Sequence, residues 1–182
     1  AIGIFGYINQ LPYAVSTNPR AKPRAIFVSA LRDKPLACNF EYEVEGQEAD
    51  FQTGIDALSK IATVYLGVGV GSKLENTANA EVCVWDGKCP AGNVGVQVNN
   101  TAPVNKGEVV WTIGDPTVVL FIGRLLNTGK VDLRRTVALC GSEIKNPAHV
   151  DMLVGEELST LLSNSYDIAR SEERRVGKEC RS

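Results

Sequence analysis

The order of strand, helix and strand in the first half of this chain is the feature that most constrains its fold. Residues 25–31 form an apolar run with β-branched members, which is typical of a buried strand in a parallel sheet. Apolar residues recur at helical spacing within residues 47–62, and residues 63–67 and 80–85 predict two more strands. This alternation predicts an α/β domain with parallel pairing and right-handed crossovers.

A second helix is predicted together with both of its ends. After a strand at residues 108–113, the Asp115 carboxylate can accept a backbone N–H, and Pro116 suits the first helical position because no donor is needed there. Gly129 can adopt the left-handed conformation that ends the helix. The side chains predicted to be buried are Val118, Phe121, Ile122, Leu125 and Leu126.

The other segments are predicted to be less regular or to belong to another domain. Residues 1–23 predict a frayed start, and residues 86–107 predict a long irregular connection with few helix formers. Residues 136–140 and 149–153 predict two strands joined through an Asn-Pro turn, with a helix beginning at Glu156.

Composition and charge exclude several classes of protein. The 182 residues are 44% hydrophobic, and the longest apolar run, residues 118–122, is far shorter than the roughly 20 residues of a membrane span.

With no initiator Met and no signal peptide, the sequence predicts an internal piece of a longer protein. Residues 170–182 resemble a translated sequencing adapter and are predicted to be an artefactual disordered tail. Without them the net charge is −4, which argues against nucleic-acid binding.

No group of residues predicts a catalytic centre or a metal site. The cysteines at positions 38, 83, 89, 140 and 180 lack the CxxC spacing of zinc and iron–sulfur sites. His149 is the only histidine of the sequence, so a metal site with several histidine ligands is excluded.

Two glycine-rich segments are candidate ligand sites. The first follows a predicted strand and is a weak alternative for nucleotide binding, because its spacing is GxGxG rather than GxGxxG; it consists of Gly67, Gly69 and Gly71. The second allows the backbone to approach a flat ligand or to pack closely; it consists of Pro90, Ala91, Gly92 and Gly95.

Several segments, in the same order along the chain, resemble the A subunit of the sodium-translocating NADH:quinone oxidoreductase. The similarity spans roughly residues 11–163, and its most recognisable parts are residues 25–30, 35–37, 51–61, 122–132 and 136–150. The resemblance implies a Rossmann-like domain without a dinucleotide fingerprint at residues 1–133. It also implies the truncated start of a soluble-ligand-binding β-grasp domain at residues 134–169.

The functional implication of the resemblance is a peripheral subunit of a redox-driven sodium pump that oxidises NADH and reduces quinone. Such a subunit lies on the cytoplasmic face of the bacterial inner membrane, has no membrane span and no independent activity, and binds no cofactor itself. Flavins and the iron–sulfur centre belong to partner subunits, and this chain would contribute structural and quinone-associated surface.

The family pattern and this sequence differ in the second glycine-rich segment. Family histidines are replaced here by Cys89, Gln97 and Asn99, which puts any imidazole role in doubt. Two alternatives stay open: a related electron-transport subunit that links ferredoxin and NAD, and a non-enzymatic β-grasp ligand-binding protein. The first would carry paired cluster-binding cysteine motifs, and the second would have a signal peptide and no Rossmann-like domain.

Overall fold

The structure, a computed structural model, describes residues 3–141, 144, 146–157 and 159. Contacts divide the chain into two units, Ala1–Leu133 and Arg134–Ser182. The first unit holds a six-stranded sheet, and the second holds a two-stranded antiparallel sheet. The predicted tail at residues 170–182 lies outside the described residues.

The sheet of the first unit is mostly parallel. Its strands are β1 (Asn9–Leu11), β2 (Val15–Ser16), β3 (Ala25–Ser29), β4 (Thr63–Gly69), β5 (Glu81–Trp85) and β6 (Val110–Ile113). They lie in the order β2-β1-β6-β3-β4-β5. The pairs β6-β3, β3-β4 and β4-β5 are parallel, whereas β1 is antiparallel to both β2 and β6. The predicted α/β class with parallel pairing is therefore confirmed.

Among the residues that the structure describes, four α-helices connect or flank these strands. They are α1 (Phe40–Val44), α2 (Glu48–Ser59), α3 (Val94–Thr101) and α4 (Thr117–Thr128), with two 3₁₀ turns at Ile4–Tyr7 and Lys73–Asn76. None of the helices among the described residues is long and apolar enough to span a membrane.

The α4 helix begins and ends at the predicted signals. The Asp115 carboxylate accepts a hydrogen bond from the Thr117 backbone N–H at 3.2 Å, and Gly129 closes the helix with a φ of 71°. Pro116 lies just before the helix rather than at its first position. The predicted buried stripe is wrong at Leu126, which is 57% exposed. Fully buried positions that the stripe did not include are Val119 and Leu120.

Two segments predicted to be irregular contain regular structure. Residues 1–23 were predicted to be a frayed start, but β1 and β2 form a hairpin there. Strands of three and two residues are too short to show a periodicity of their own. Residues 86–107 contain α3, whose first turn is capped by the Asn93 side chain, which accepts from the Gly95 N–H at 2.8 Å.

The sheet is covered by different helices on its two faces. Alternate residues such as Ile26 and Val28 of β3 pack into a core with α1, α2 and α4. On the opposite face, Phe27 packs with Val98 of α3 and stacks on Tyr65, with the ring centroids 4.7 Å apart. Burial is the main cause of a raised pKa of Tyr65, and the neighbouring Glu81 carboxylate raises it further. The chain that leaves β3 therefore turns to one face, and the chain that leaves β5 turns to the other.

Two glycines allow α2 and α4 to touch through their backbones. A Cβ on Gly123 would overlap the Asp50 carbonyl, and a Cβ on Gly54 would overlap the Val119 carbonyl. Beside this contact, Asn127 donates to the Asp50 carboxylate at 2.6 Å. The two helices are therefore closer together than any pair of side chains at these positions would permit.

The described part of the second unit contains a β-hairpin. Strands β7 (Arg134–Leu139) and β8 (Ala148–Leu153) pair antiparallel, which confirms the two predicted strands. The Thr136 hydroxyl donates to the Asp151 carboxylate across the pair at 2.7 Å. Most of the helix predicted to begin at Glu156 lies outside the described residues, and Glu156 itself is not helical.

Candidate functional site

A cleft opens at the carboxyl edge of the parallel strands β3 and β6. Its volume is about 420 Å³, and it lies where the crossover from β5 passes over the loops that leave β3 and β6. Open α/β sheets bind their ligands outside the carboxyl ends of the strands. The lining residues are Leu31, Arg32, Asp33, Lys34, Ala37, Cys89, Pro90, Gly92, Asn93, Val94, Gly114 and Asp115.

One wall of the cleft is the loop at residues 89–92, which hydrogen bonds fasten to the end of β3. The Ser29 hydroxyl donates to the Gly92 carbonyl at 2.8 Å, and the Gly92 N–H donates to the Asp33 carboxylate at 2.8 Å. The buried Gln97 amide donates to the Ala91 carbonyl at 3.0 Å and to the Ser29 hydroxyl at 3.1 Å. The Gly92 N–H and the carbonyls of Ala91 and Gly92 are therefore satisfied without a ligand.

Two glycines around this loop leave room for close contacts. A Cβ on Gly92 would overlap the Leu31 carbonyl and the Asp33 side chain. A Cβ on Gly67 would overlap the side-chain amide of Gln97. Absence of a side chain at these positions is what lets α3 and the loop approach the strands.

The first glycine-rich segment begins within a strand rather than after it. Strand β4 runs to Gly69, so Gly67 and Gly69 are strand residues. Gly71 follows in a turn with a φ of 75°, and its N–H donates to the Glu75 carboxylate at 2.8 Å. None of the three glycines lines the cleft.

Arg32 also lines the cleft, and it joins its own loop to α1 and to the start of α4. Its Nη2 lies 3.0 Å from the buried Glu43 carboxylate, 2.9 Å from Asp115 Oδ1 and 2.8 Å from the Thr117 hydroxyl. Its Nη1 donates to the Cys38 carbonyl at 3.2 Å. The guanidinium carbon also lies 5.4 Å from the centre of the Phe40 ring. This arrangement fixes a permanent positive charge at the edge of the cleft.

Comparison with known proteins identifies the family. Residues 1–131 match the family model described as the NqrA second alpha/beta domain. The chain belongs to this family. The family predicted from the sequence is therefore confirmed.

Individual relatives of the NqrA family agree with the match. The A subunit of the Na(+)-translocating NADH-quinone reductase from Serratia proteamaculans is 32% identical over 165 residues, which are 88% of this chain and 36% of the relative. The corresponding proteins from Hahella chejuensis and Neisseria meningitidis are 33% and 31% identical over 82% and 87% of the chain, and 34% and 36% of their own lengths. The chain thus spans about a third of the curated relatives that it matches.

The second glycine-rich segment of this NqrA-family chain lies at the cleft only in part. Pro90 and Gly92 line it, together with the exposed Cys89. Ala91 contributes its carbonyl to the Gln97 hydrogen bond, and Gly95 lies in α3. Of the positions where the resemblance implies a family histidine, Gln97 is buried beneath the loop, and Asn99 is exposed on α3.

The sequence did not reveal several residues that line the cleft or hold its loop. Ser29, Arg32 and Asp33 had no predicted role, although Arg32 and Asp33 directly follow the apolar run at residues 25–31. Charged residues immediately after a buried parallel strand were the available signal, because this edge of a sheet collects ligand sites. The described residues contain no group of three or more His, Cys, Asp or Glu side chains that could hold a metal ion.

We expect Gln97→Leu to loosen the loop at residues 89–92. The substitution removes the donors to Ser29 and Ala91 and leaves the Ala91 carbonyl without its partner, which costs about 1–3 kcal/mol. Hydrogen exchange measured by mass spectrometry should show faster exchange of the Gly92 and Asn93 amides. Asn99→Leu on the exposed side of α3 is the matched control and should leave these rates unchanged. Equal exchange rates in both variants would contradict the fastening role of Gln97.

Proposed function

We propose that this chain works as part of the A subunit of a Na(+)-translocating NADH-quinone reductase. In this role it is a peripheral piece of a redox-driven sodium pump and contributes structural and quinone-associated surface. Membership of the NqrA second-domain family and the shared name of the relatives support this proposal. NADH oxidation takes place elsewhere, and the flavins and the iron–sulfur centre reside in partner subunits.

The finer architecture is proposed on the same basis. The parallel strands lie in the order β5-β4-β3-β6, which corresponds to the first four strands of a dinucleotide-binding fold. We therefore assign residues 1–133 to a Rossmann-like domain that has no dinucleotide fingerprint. The β7-β8 hairpin is assigned to the start of a β-grasp domain in residues 134–169.

The cleft is the observation that carries the quinone-associated role. Quinone head groups are flat and mostly apolar, and sites for such ligands combine apolar walls with a few polar groups. The apolar residues on the cleft wall are Leu31, Ala37, Pro90 and Val94. Arg32, Lys34 and Asp115 supply polar groups at the same cleft. On this proposal, the protein lies at the cytoplasmic face of the membrane, with other subunits of the reductase as its partners.

Photoaffinity labelling of the 182-residue chain tests the quinone-associated role. An azido-ubiquinone should label peptides that contain residues 31–37 and 89–94, and excess ubiquinone-1 should suppress the labelling. Ala37→Trp should also suppress it, because Ala37 is exposed in the cleft and a large ring there fills the space. Ala78→Trp places the same ring at an exposed position outside the cleft and should leave the labelling unchanged. Labelling that ubiquinone-1 does not compete for would refute the proposal.

A further inference from the structure

Arg32 has donors that its protein partners do not use. A guanidinium carries five N–H groups and cannot lose its charge in a protein. Nη2 faces Glu43, Asp115 and Thr117, and Nη1 has one acceptor, the Cys38 carbonyl. Among the residues that the structure describes, Nε has no acceptor. Nε is not one of the fully buried polar atoms that lack a hydrogen-bond partner, so solvent reaches it.

The Nε donor belongs to a side chain that lines the cleft. Arg32 is a lining residue, and 16% of its side chain is exposed. The other charged groups nearby are less suited to recognising a ligand. Asp33 is bound to the Gly92 N–H, and Lys34 is exposed, with a flexible stem that fixes no direction for its ammonium group.

We propose that Arg32 Nε donates a hydrogen bond to a carbonyl oxygen of a quinone head group in the cleft, and that this bond orients the ring. The inference deepens the proposed function and rests on it. The carboxylates of Glu43 and Asp115 hold Nη2 of the guanidinium, and the Phe40 ring packs against the group. The donor is thus positioned before the ligand arrives, so that little side-chain freedom is lost on binding.

The test compares two ligands that share a ring framework and the other ring substituents but differ in their acceptors. Ubiquinone-1 has two ring carbonyls, and the dimethyl ether of its quinol carries methoxy groups in their place. Titration calorimetry of the wild-type 182-residue chain should give a Kd for ubiquinone-1 that is at least about tenfold lower than the Kd for the ether. In Arg32→Lys, which keeps the charge but not the fixed fork, this ratio should fall close to one.

The ratio separates a direct contact from a structural role. A substitution that merely loosens the cleft weakens both ligands alike and leaves the ratio unchanged, which would overturn the assignment of Arg32. Arg24→Lys is the control, because Arg24 also binds backbone carbonyls and a carboxylate but lies outside the cleft, and its ratio should match that of the wild type. A wild-type chain that binds both ligands equally would overturn the Arg32 inference alone. A wild-type chain that binds neither ligand would overturn the proposed quinone-associated role as well.

Discussion

Gly123→Ala is expected to destabilise the first unit by about 3 kcal/mol, the upper end of the usual cost of overpacking. The sign is not obvious from the sequence, because alanine is favoured over glycine within a helix by about 1 kcal/mol. Here the added methyl group would overlap the Asp50 carbonyl of α2. A backbone carbonyl cannot rotate away as a flexible side chain can, so α2 and α4 must separate. That separation exposes the core residues that both helices share.

Urea denaturation followed by circular dichroism measures this effect. The unfolding midpoint of Gly123→Ala should fall markedly, with little change in the slope of the free energy against urea. Gly6→Ala is the matched control, because Gly6 has no atom near its Cβ position and no left-handed backbone. The control should lie within about 0.5 kcal/mol of the wild type, as surface substitutions usually do. A Gly123→Ala variant as stable as this control would show that the two helices are not in backbone contact.

Elements whose signals are local could be predicted from the sequence. Helix α4 has a capping carboxylate at Asp115, a closing glycine at Gly129 and a strong apolar stripe, so no distant contact is needed to recognise it. Strand β3 is buried on both faces and therefore reads as one apolar run. The close approach of α4 to α2 at Gly123 has no local signal in the sequence. The backbone that Gly123 contacts belongs to Asp50, 73 residues earlier in the chain.

Elements that depend on tertiary contacts could not be predicted. The β1-β2 hairpin is short, and the pairing of β1 with β6 holds it in the sheet. Helix α3 contains glycine and several β-branched residues, which have weak helix propensity. It is held instead by the Asn93 cap and by the buried hydrogen bonds of Gln97. Local propensity was overridden by packing in both cases.

The candidate site was predicted only where it is rich in glycine. The loop at residues 89–92 was singled out because of its composition, whereas the residues that hold it were not. Asp33 and Gly92 are 59 positions apart, and Arg32 and Asp115 are 83 positions apart. Pairings across such distances follow from the sheet order, which a single sequence does not display. The chemistry of each residue was therefore visible in the sequence, but the residue with which it pairs was not.

Arg32→Met is expected to cost about 3–5 kcal/mol of folding stability, because Glu43 loses its ion-pair partner while it stays buried. The methionine fills much of the arginine stem but offers no donor to the Glu43 carboxylate, the Thr117 hydroxyl or the Cys38 carbonyl. Arg24→Met is the matched control. The Arg24–Glu108 pair has an N–O distance of 3.4 Å and about a third of each side chain is exposed, so its loss should cost no more than about 1 kcal/mol.

A double-mutant cycle in urea separates the charge effect from lost packing. Combining Arg32→Met with Glu43→Leu removes the buried carboxylate as well as its partner, and the double variant should be less destabilised than the sum of the two single variants. The shortfall measures the coupling between Arg32 and Glu43, which should be at least about 1 kcal/mol for residues in direct contact. The Asp115 side chain is partly exposed, so the coupling between Arg32 and Asp115 should be smaller. Strict additivity, or a cost for Arg32→Met no greater than that for Arg24→Met, would mean that Arg32 is not the fixed charge at the edge of the cleft.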